Sequence, residues 1–305
     1  MKIIYFGTSE IGVPILQKLL QHHDVVAVVT SPDKAVGRKQ VLTPSPIAHL
    51  AQRERLTIYK PDKVKNNPDF LHTLKQHAAD LYVVVSYGKI LPLELLDQPP
   101  LKTINVHFSL LPKYRGPAPV QFTLLNGETK TGTSIFILDE LVDHGPLLAT
   151  AELNIEPDDT NLTLQSKLAQ LSADLLIDTL PKYEHSQITP VAQNHEEATS
   201  TKIITKEDGK VNWQETNQQI YNRFRAFQPW PGIYTSWEGK TLKIIDCAPS
   251  SESVPLHPGQ VQHNLVGCGN NTILSLKTVQ LEGKNPTSIT DFLNGHPQFG
   301  SGQLN

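Results

Sequence analysis

The sequence has few of the features that mark specialised classes of protein. Only two cysteines, Cys247 and Cys268, occur in 305 residues, and their spacing fits neither a metal site nor a disulfide framework. We interpret both as buried structural thiols, which indicates a reducing compartment. No apolar run approaches the roughly 20 residues of a membrane span, and the apolar run after Lys2 is too short for a signal peptide. We therefore expect a cytoplasmic protein.

Excess charge and common nucleotide-binding motifs are also missing. The net charge of −3 gives no global positive field that would indicate a nucleic-acid partner. Gly7 and Gly12 stand five apart without a third glycine, which does not match the GxGxxG pattern of dinucleotide-binding folds. The sequence has no phosphate loop ending in Gly-Lys-Ser/Thr and no GxSxG nucleophile elbow. These absences count against NAD binding and leave no obvious protein nucleophile.

The first part of the chain alternates apolar strands with amphipathic helices. Residues 2–6 and 25–30 are apolar runs typical of buried strands, the second of a central parallel strand, and Ser9 is expected to cap the helix between them. Further strands are predicted at 57–59, 81–86, 103–106, 133–138 and 147–153, and further helices from Ser45 and Pro46, over 68–78 and over 160–183. This order predicts a doubly wound α/β domain with a mostly parallel sheet over residues 1–183.

The pattern changes after this domain. Residues 184–204 lack sustained periodicity and are predicted to be a linker. Beyond them a helix is predicted at 216–227, followed by short strands at 233–237, 241–247, 259–262 and 272–279. Short strands with frequent turns are typical of a small β-barrel, so we expect an OB-like barrel domain over 205–305. Its eight basic residues balance its eight acidic ones, so its net charge lends no support to oligonucleotide binding.

Polar residues of possible chemical use lie in the stretch 103–148. Asn105 and His107 alternate with Val106, so a strand would place both side chains on one face. A loop rich in proline and glycine follows, and the next strand leads into an acidic turn that contains Asp143. In an open α/β sheet, an amide, an imidazole and a carboxylate at strand ends indicate the usual place for chemistry.

Two interpretations of these three residues are open. In the first, Asn105 and His107 satisfy backbone groups near a sheet end and Asp143 caps a turn. In the second, they promote acyl transfer without a covalent intermediate, because the sequence offers no obvious nucleophile. A substrate amine would then attack a carbonyl, and Asn105 and a protonated His107 would donate to the oxyanion. Asp143 would keep the imidazole charged and aid proton transfer.

A basic loop over residues 31–46 also has two interpretations. It contains Lys34, Arg38 and Lys39 among four prolines or glycines. It is either a solvated surface loop or a mobile loop that closes on a phosphate-bearing partner.

A set of motifs in the central stretch points to a known family. The stretch contains Asn105-Val106-His107, Ser109-Leu110-Leu111-Pro112, Arg115-Gly116 and Ala118-Pro119, and Asp143 follows the next strand. Together these motifs resemble those of the 10-formyltetrahydrofolate-dependent formyltransferases, and the resemblance covers nearly the whole chain. It implies that Asn105, His107 and Asp143 form a catalytic trio for attack of a primary amine on the formyl carbonyl. The first two would stabilise the oxyanion, and Asp143 would tune His107 and assist proton removal, through water.

The resemblance also implies a folate site and a co-substrate, 10-formyltetrahydrofolate, with no metal. The loop residues of this site would be Ser109, Leu110, Leu111 and Pro112. The residues flanking the pterin would be Val85, Tyr87, Gly88, Ile90, Leu138 and Asp139.

Three features are similar to the branch of the family that formylates methionyl-initiator tRNA. They are the N-terminal YFGTSEIGVPIL, the loop SPDKAVGRKQVLTPSPIAHLA, and KVNW with RAFQPWPG in the second domain. They imply that Lys34, Arg38 and Lys39 contact the acceptor end of the tRNA and that the C-terminal barrel grips its backbone.

Two alternatives remain beside this one. A formyltransferase for an amino sugar nucleotide would share the SLLPKYRG region and a PWPG motif, but would not be expected to keep the basic loop. A non-catalytic tRNA- or folate-binding protein of the same fold would not need the intact trio. The sequence departs from the family at Phe108, where a small residue is common, and at His144 and Pro146, which usually read Thr and Asp. These departures are expected to affect the rim of the pocket and leave the trio intact.

Overall fold

Two units make up the chain. The computed structural model describes residues 1–37 and 40–305, with only the backbone of Val36. Unit 1 comprises Met1–Pro119, Lys130–Asn154 and Gln165–Lys202, and unit 2 comprises Val120–Thr129, Ile155–Leu164 and Ile203–Asn305. The domain boundaries at 183 and 205 stay a prediction.

A mostly parallel sheet forms the centre of unit 1. The strands of this unit are β1 (Lys2–Gly7), β2 (Asp24–Val29), β3 (Lys34–Val36), β4 (Val41–Thr43), β5 (Ile58–Tyr59), β6 (Leu81–Val85), β7 (Thr103–His107), β8 (Lys130–Ile137) and β9 (Leu147–Asn154). Seven of them form a sheet in the order β5-β2-β1-β6-β7-β8-β9, and β3 pairs with β4 as a separate hairpin. The first five strands in this order are parallel, β8 runs antiparallel to β7, and β9 runs antiparallel to β8. The predicted mostly parallel α/β sheet is therefore confirmed.

Helices connect these strands. They are α1 (Val13–His22), α2 (Pro46–Arg53), α3 (Pro68–Lys75), α4 (Leu93–Leu96), α5 (Pro119–Leu125) and α6 (Asn161–Glu184). The predicted start of α2 is confirmed, since Ser45 Oγ accepts a hydrogen bond from Ala48 N at 3.0 Å and Pro46 follows the cap. The predicted cap at Ser9 is wrong: a short 3-10 turn precedes α1, and Ser9 Oγ instead accepts from Ser86 Oγ at 3.0 Å.

The order of the strands decides where the site lies. The chain runs from β1 through β2 to β5 in one direction, then returns to β6 and β7 on the other side of β1. Ligands in such sheets bind beyond the carboxyl ends of the strands, near this reversal. Here β6 ends at Val85 and β7 ends at His107, so both lead directly into predicted site residues.

Unit 2 contains an antiparallel sheet. Its strands are β10 (Ile233–Trp237), β11 (Lys240–Ser250), β12 (Val261–Gln262), β13 (Leu265–Gly267), β14 (Ile273–Leu281) and β15 (Thr287–Ser288), and the unit also contains helices α7 (Asn217–Ala226) and α8 (Ile289–Gly295). The sheet order is β10-β11-β14-β13-β12, with β15 on β14. The predicted strands are confirmed and prove to be antiparallel, although β11 is long at 11 residues. These strand pairs do not by themselves close a barrel.

Both cysteines lie in unit 2. Cys247 and Cys268 are free and buried, each 1% exposed, which confirms their interpretation as structural thiols. Burial raises the pKa of Cys268 to about 12 and that of Cys247 further, so both thiols stay protonated. In the part of the chain that the structure describes, no helix has the length and apolarity to cross a membrane.

Candidate active site

Strand β7 carries Asn105 and His107 on one face. Their side chains are mostly buried, with 9% and 5% of each residue exposed. His107 Nε2 lies 2.9 Å from the carbonyl oxygen of Tyr114. Because a carbonyl can only accept, Nε2 carries a proton and donates it, which leaves Nδ1 as the ring nitrogen that faces the site. Phe136 packs edge-on against the imidazole, with 6.5 Å between the ring centroids.

Asp143 reaches His107 from the loop between β8 and β9. Its Oδ2 lies 3.6 Å from His107 Nδ1, which is an ion-pair distance and too long for a hydrogen bond. The same oxygen accepts a hydrogen bond of 2.7 Å from Gly116 N. Asp143 has a φ of 47°, in the left-handed region, so surrounding contacts must hold its backbone there. The structure thus brings together the imidazole and the carboxylate that the sequence suggested.

A single loop segment, residues 114–116, holds both groups. The Tyr114 carbonyl accepts a hydrogen bond from the imidazole of His107, and the Gly116 amide donates one to the carboxylate of Asp143. Gly116 has a φ of 108°, and a Cβ at this position would lie 2.8 Å from Thr201 Oγ1 and 2.9 Å from Thr201 O. A side chain is therefore excluded both by conformation and by space. Residues 199–201 run beside this segment, with Arg115 N donating to Thr199 O and Thr201 N donating to Arg115 O.

Gln193 is the residue that reasoning from the sequence missed. It is only 5% exposed. Its Nε2 donates to the carbonyl of Asp143 at 3.0 Å and to that of Gly145 at 2.8 Å. Its Oε1 accepts from Arg115 Nη2 at 2.6 Å and from Arg115 Nε at 3.2 Å. Gln193 thereby holds the backbone at Asp143 and two residues after it. It lies in the segment predicted as a linker, where no periodic pattern marked it.

The amide of Asn105 is available to a ligand. Among the residues that the structure describes, no group hydrogen-bonds its side chain, whereas His107 and Asp143 are both held by the loop. A free amide donor, an imidazole held at one nitrogen and a carboxylate beside the other nitrogen can together stabilise an oxyanion and move a proton. For Asn105 the first interpretation has no support in these contacts, whereas His107 and Asp143 do bind backbone groups, those of Tyr114 and Gly116.

The predicted pterin residues follow β6 or lie in the β8–β9 loop. Val85 is fully buried, and Tyr87, which is 2% exposed, packs in one apolar cluster with Leu138. Burial raises the pKa of Tyr87 to about 12, so its phenol stays neutral. Gly88 has a φ of 79°, and Ile90 is 83% exposed. The structure places Tyr87 in this buried cluster with Leu138 packed against it, and leaves Ile90 in solvent.

The other predicted folate residues follow β7, and their hydrogen bonds shape the loop. They are Ser109, Leu110, Leu111 and Pro112. Ser109 is fully buried and donates from Oγ to Lys113 O at 2.6 Å. Leu111 N donates to Ser134 Oγ at 3.0 Å, and the peptide bond from Leu111 to Pro112 is cis. Asp139, in the β8–β9 loop, binds His144 Nδ1 through Oδ2 at 2.7 Å.

The basic loop borders a groove in unit 1. The groove has a volume of about 690 Å³ and is lined by Lys34, His49 and Arg53 together with Glu10 and several apolar side chains. Arg38 and Lys39, the other predicted tRNA contacts, lie outside the described residues. Within the described chain, no group of three or more His, Cys, Asp or Glu side chains is arranged to hold a metal ion.

Comparison with known proteins gives full-length matches. A family model described as formyl transferase matches residues 1–180, and the model of the formyl transferase C-terminal domain matches residues 203–297. The chain is 42% identical over 301 residues to a methionyl-tRNA formyltransferase of Koribacter versatilis, covering 97% of this chain and 96% of that protein. It is 38% identical over 300 residues to a methionyl-tRNA formyltransferase of Enterococcus faecalis, covering 96% of each.

Solved structures show the same fold in more distant proteins. An N-formyltransferase from Helicobacter canadensis, solved with folinic acid and dTDP-3-aminofucose, matches with a TM-score of 0.68 and 20% identity. The match covers 90% of this chain and 98% of that one. At this identity the likeness concerns the fold alone.

Proposed function

Because the chain belongs to the formyl transferase family and matches methionyl-tRNA formyltransferases along its whole length, we propose that it transfers a formyl group from 10-formyltetrahydrofolate to methionyl-initiator tRNA. The match at 42% identity over 97% of the chain is the observation that carries this assignment. The reaction takes place where charged tRNA and folate meet, which is the cytoplasm.

Asn105, His107 and Asp143 are the proposed catalytic residues. The amine nitrogen of the methionyl group attacks the formyl carbon, and the carbonyl electrons move to the oxygen. The free amide of Asn105 and the Nδ1–H of a protonated His107 donate to this oxyanion. A single donor of this kind typically lowers the barrier by roughly 2.7–4 kcal/mol.

Proton transfer completes the exchange. The Asp143 carboxylate, 3.6 Å from Nδ1, stabilises the imidazolium. The attacking amine loses a proton, with Asp143 assisting through water. The folate nitrogen leaves with the electron pair of the broken C–N bond and takes up a proton. The number of protons is unchanged, and no protein side chain becomes acylated.

The proposed folate site is formed by the residues around Tyr87 and by the loop after β7. Tyr87 belongs to a buried apolar cluster and the partly buried Leu138 packs against that cluster, so Leu138 would offer the accessible apolar contact to a pterin ring. Ser109 and Leu111 support this site through their loop hydrogen bonds. Asp139 would flank the pterin at the start of the β8–β9 loop.

Lys34, Arg38 and Lys39 are the proposed contacts to the acceptor end of the tRNA. The groove supports this, since Lys34, His49 and Arg53 line it together with one acidic residue, Glu10, and Arg53 is paired with Glu54 at 3.0 Å. Contacts to phosphate made by such side chains weaken as salt concentration rises.

The sheet of unit 2 is proposed to form an OB-like barrel that grips the tRNA backbone. Residues 302–305 support the barrel. Asn305 and Ser236 exchange two backbone hydrogen bonds of 3.0 and 2.9 Å, and Val261 N donates to Gly302 O at 3.0 Å. Ser236 belongs to β10 and Val261 to β12, the two outer strands of the sheet order. The segment therefore bridges strands that the sheet itself leaves apart.

The decisive experiment compares acceptors. Purified protein is given 10-formyltetrahydrofolate and either methionyl-initiator tRNA, methionyl-elongator tRNA or a dTDP-amino sugar. We expect formylation of the initiator tRNA. Transfer to the sugar nucleotide alone would overturn the tRNA assignment, and binding of tRNA or folate without transfer would indicate a non-catalytic protein.

A further inference from the structure

Two histidines beside the active site have no part in the proposed chemistry. His144 follows Asp143, and His195 lies two residues after Gln193. Their rings stack, with 4.0 Å between centroids and 4° between planes. We refer to this stacked pair, His144 and His195, as the histidine brace.

Each histidine of the brace makes one hydrogen bond whose donor and acceptor are fixed by the chemistry of its partner. His144 Nδ1 lies 2.7 Å from Asp139 Oδ2, and since a carboxylate only accepts, Nδ1 carries a proton. Arg115 Nη2 lies 2.8 Å from His195 Nδ1. A guanidinium can only donate, so His195 Nδ1 must be an unprotonated acceptor, and His195 is neutral in this arrangement.

The brace joins the two loops that hold the catalytic residues. His144 belongs to the loop that carries Asp143. Arg115 lies in the segment whose carbonyl binds His107 and whose amide binds Asp143. Arg115 also donates to Gln193, which in turn holds the backbone of Asp143. A shift of Arg115 would therefore act on the imidazole and the carboxylate together.

We propose that His144 and His195 are positioning residues for formyl transfer, and that they hold the loops around Asp143 in the reactive arrangement only while His195 is neutral. This inference rests on the proposed function.

Charges around His195 set the pH range of the brace. Although His195 is exposed as a whole, loss of hydration lowers its pKa from the ordinary value, and the charges of His144 and Arg115 lower it further. The Asp139 carboxylate acts in the opposite direction. On its own segment, His195 is followed by Glu196 and Glu197, both exposed, and Glu197 is bound by Asn194.

The sign of the pH effect follows from this. Because the pKa of His195 is lowered, the neutral form is fully present above the ordinary histidine pKa of about 6.5. It is lost as the pH falls through the lowered value. A proton on Nδ1 of His195 would then face the N–H donor of Arg115. Two donors cannot bond each other, so this contact would be lost and the stacked pair would separate. The kcat should therefore fall at low pH as His195 becomes protonated, in addition to any fall caused by protonation of the catalytic residues.

Two substitutions at His195 distinguish the role of its Nδ1 acceptor from the role of its flat ring. His195→Asn keeps an acceptor near the position of Nδ1 but cannot titrate. We expect it to keep most of the kcat at neutral pH and to lose the acid-side step of the kcat profile that belongs to His195. His195→Phe keeps a flat ring but has no acceptor, and we expect its kcat to fall about tenfold, which corresponds to the loss of about 1.4 kcal/mol of barrier reduction. KM for 10-formyltetrahydrofolate should change little in both variants.

His72→Asn is the matched control, because His72 is exposed on α3 and, among the described residues, its side chain bonds only Gln76. It should leave the pH profile unchanged. If His195→Asn keeps the wild-type acid limb and His195→Phe keeps the wild-type kcat, the inference is overturned.

An NMR titration of the histidines tests the brace without activity. Arg115→Gln and His144→Thr each remove a positive or titratable neighbour, so each should raise the titration midpoint of His195. An unchanged midpoint in both variants would show that the brace does not exist in solution. If the wild-type protein transfers no formyl group while the midpoint shifts as expected, the brace is real, the proposed function has failed, and the catalytic part of the inference falls with it.

Discussion

Replacing Gln193 by leucine should damage the active site without touching a catalytic residue. Leucine is close to glutamine in size, so the change removes hydrogen bonds rather than volume. The two bonds from Nε2 to the carbonyls of Asp143 and Gly145 contribute about 0.5–1.5 kcal/mol each. The bonds from Arg115 involve a charge and would contribute about 1.5–3 kcal/mol if fully buried. Arg115 is partly exposed, so hydrogen bonds to water would offset part of this free energy in the variant.

These terms give an expected loss of about 2–4 kcal/mol in the free energy of unfolding of unit 1. The kinetic effect has a separate cause. Without Gln193 the backbone of Asp143 is free to move, and a misplacement near 1 Å typically costs up to about 10²-fold in rate. We therefore expect a fall of about 10–100-fold in kcat.

Urea denaturation followed by far-ultraviolet circular dichroism measures the first effect, and a formylation assay at saturating substrate measures the second. Gln170→Leu is the control, because Gln170 lies exposed on α6 and its side chain bonds only Asp174 within the part of the chain that the structure describes. It should change stability by less than about 0.5 kcal/mol. If Gln193→Leu behaves like Gln170→Leu in both assays, the view that this side chain holds the Asp143 loop is wrong.

Other predictions follow from the same site. His107→Ala and Asp143→Asn should each lower kcat by about 10²–10³-fold while circular dichroism stays native; near-normal turnover in either would remove that residue from the trio. Gly116→Ala should destabilise unit 1 by more than about 1 kcal/mol, since its Cβ would meet Thr201 at 2.8 Å at a φ of 108°, and unchanged thermal unfolding would contradict this. Arg38→Ala should raise KM for tRNA and reduce its salt dependence, with folate binding retained; equal losses for both substrates would refute the role of the loop.

Local patterns were sufficient to predict the strands of the seven-stranded sheet in unit 1 and helices α1, α2, α3 and α6, but not the hairpin β3–β4 or the short helices α4 and α5. The alternation of Asn105, Val106 and His107 placed the two polar side chains on one face, and apolar runs located the neighbouring strands. Helix α2 began where a serine and a proline predicted it. The cap predicted at Ser9 is wrong because a 3-10 turn lies between Ser9 and α1, so the serine comes one turn too early to cap that helix.

The remainder of the site depends on contacts between distant parts of the chain. Gln193 binds a carbonyl 50 residues away and a guanidinium 78 residues away, and no local pattern records either bond. The short strand β13, of three residues, and helix α8, of seven, are below the length at which periodicity is informative. Aspartate adopts the left-handed region more often than most residues, but no local pattern singled out Asp143 for it.

The two cysteines can report on local opening of unit 2. Cys247 and Cys268 are buried in unit 2, and unit 1 has no cysteine. An alkylating reagent can react with them only when unit 2 opens, because reaction requires access and a thiolate. The rate of alkylation in the native protein therefore measures opening that exposes Cys247 or Cys268. Comparing that rate with and without tRNA would test whether the proposed partner stabilises the regions around these two residues.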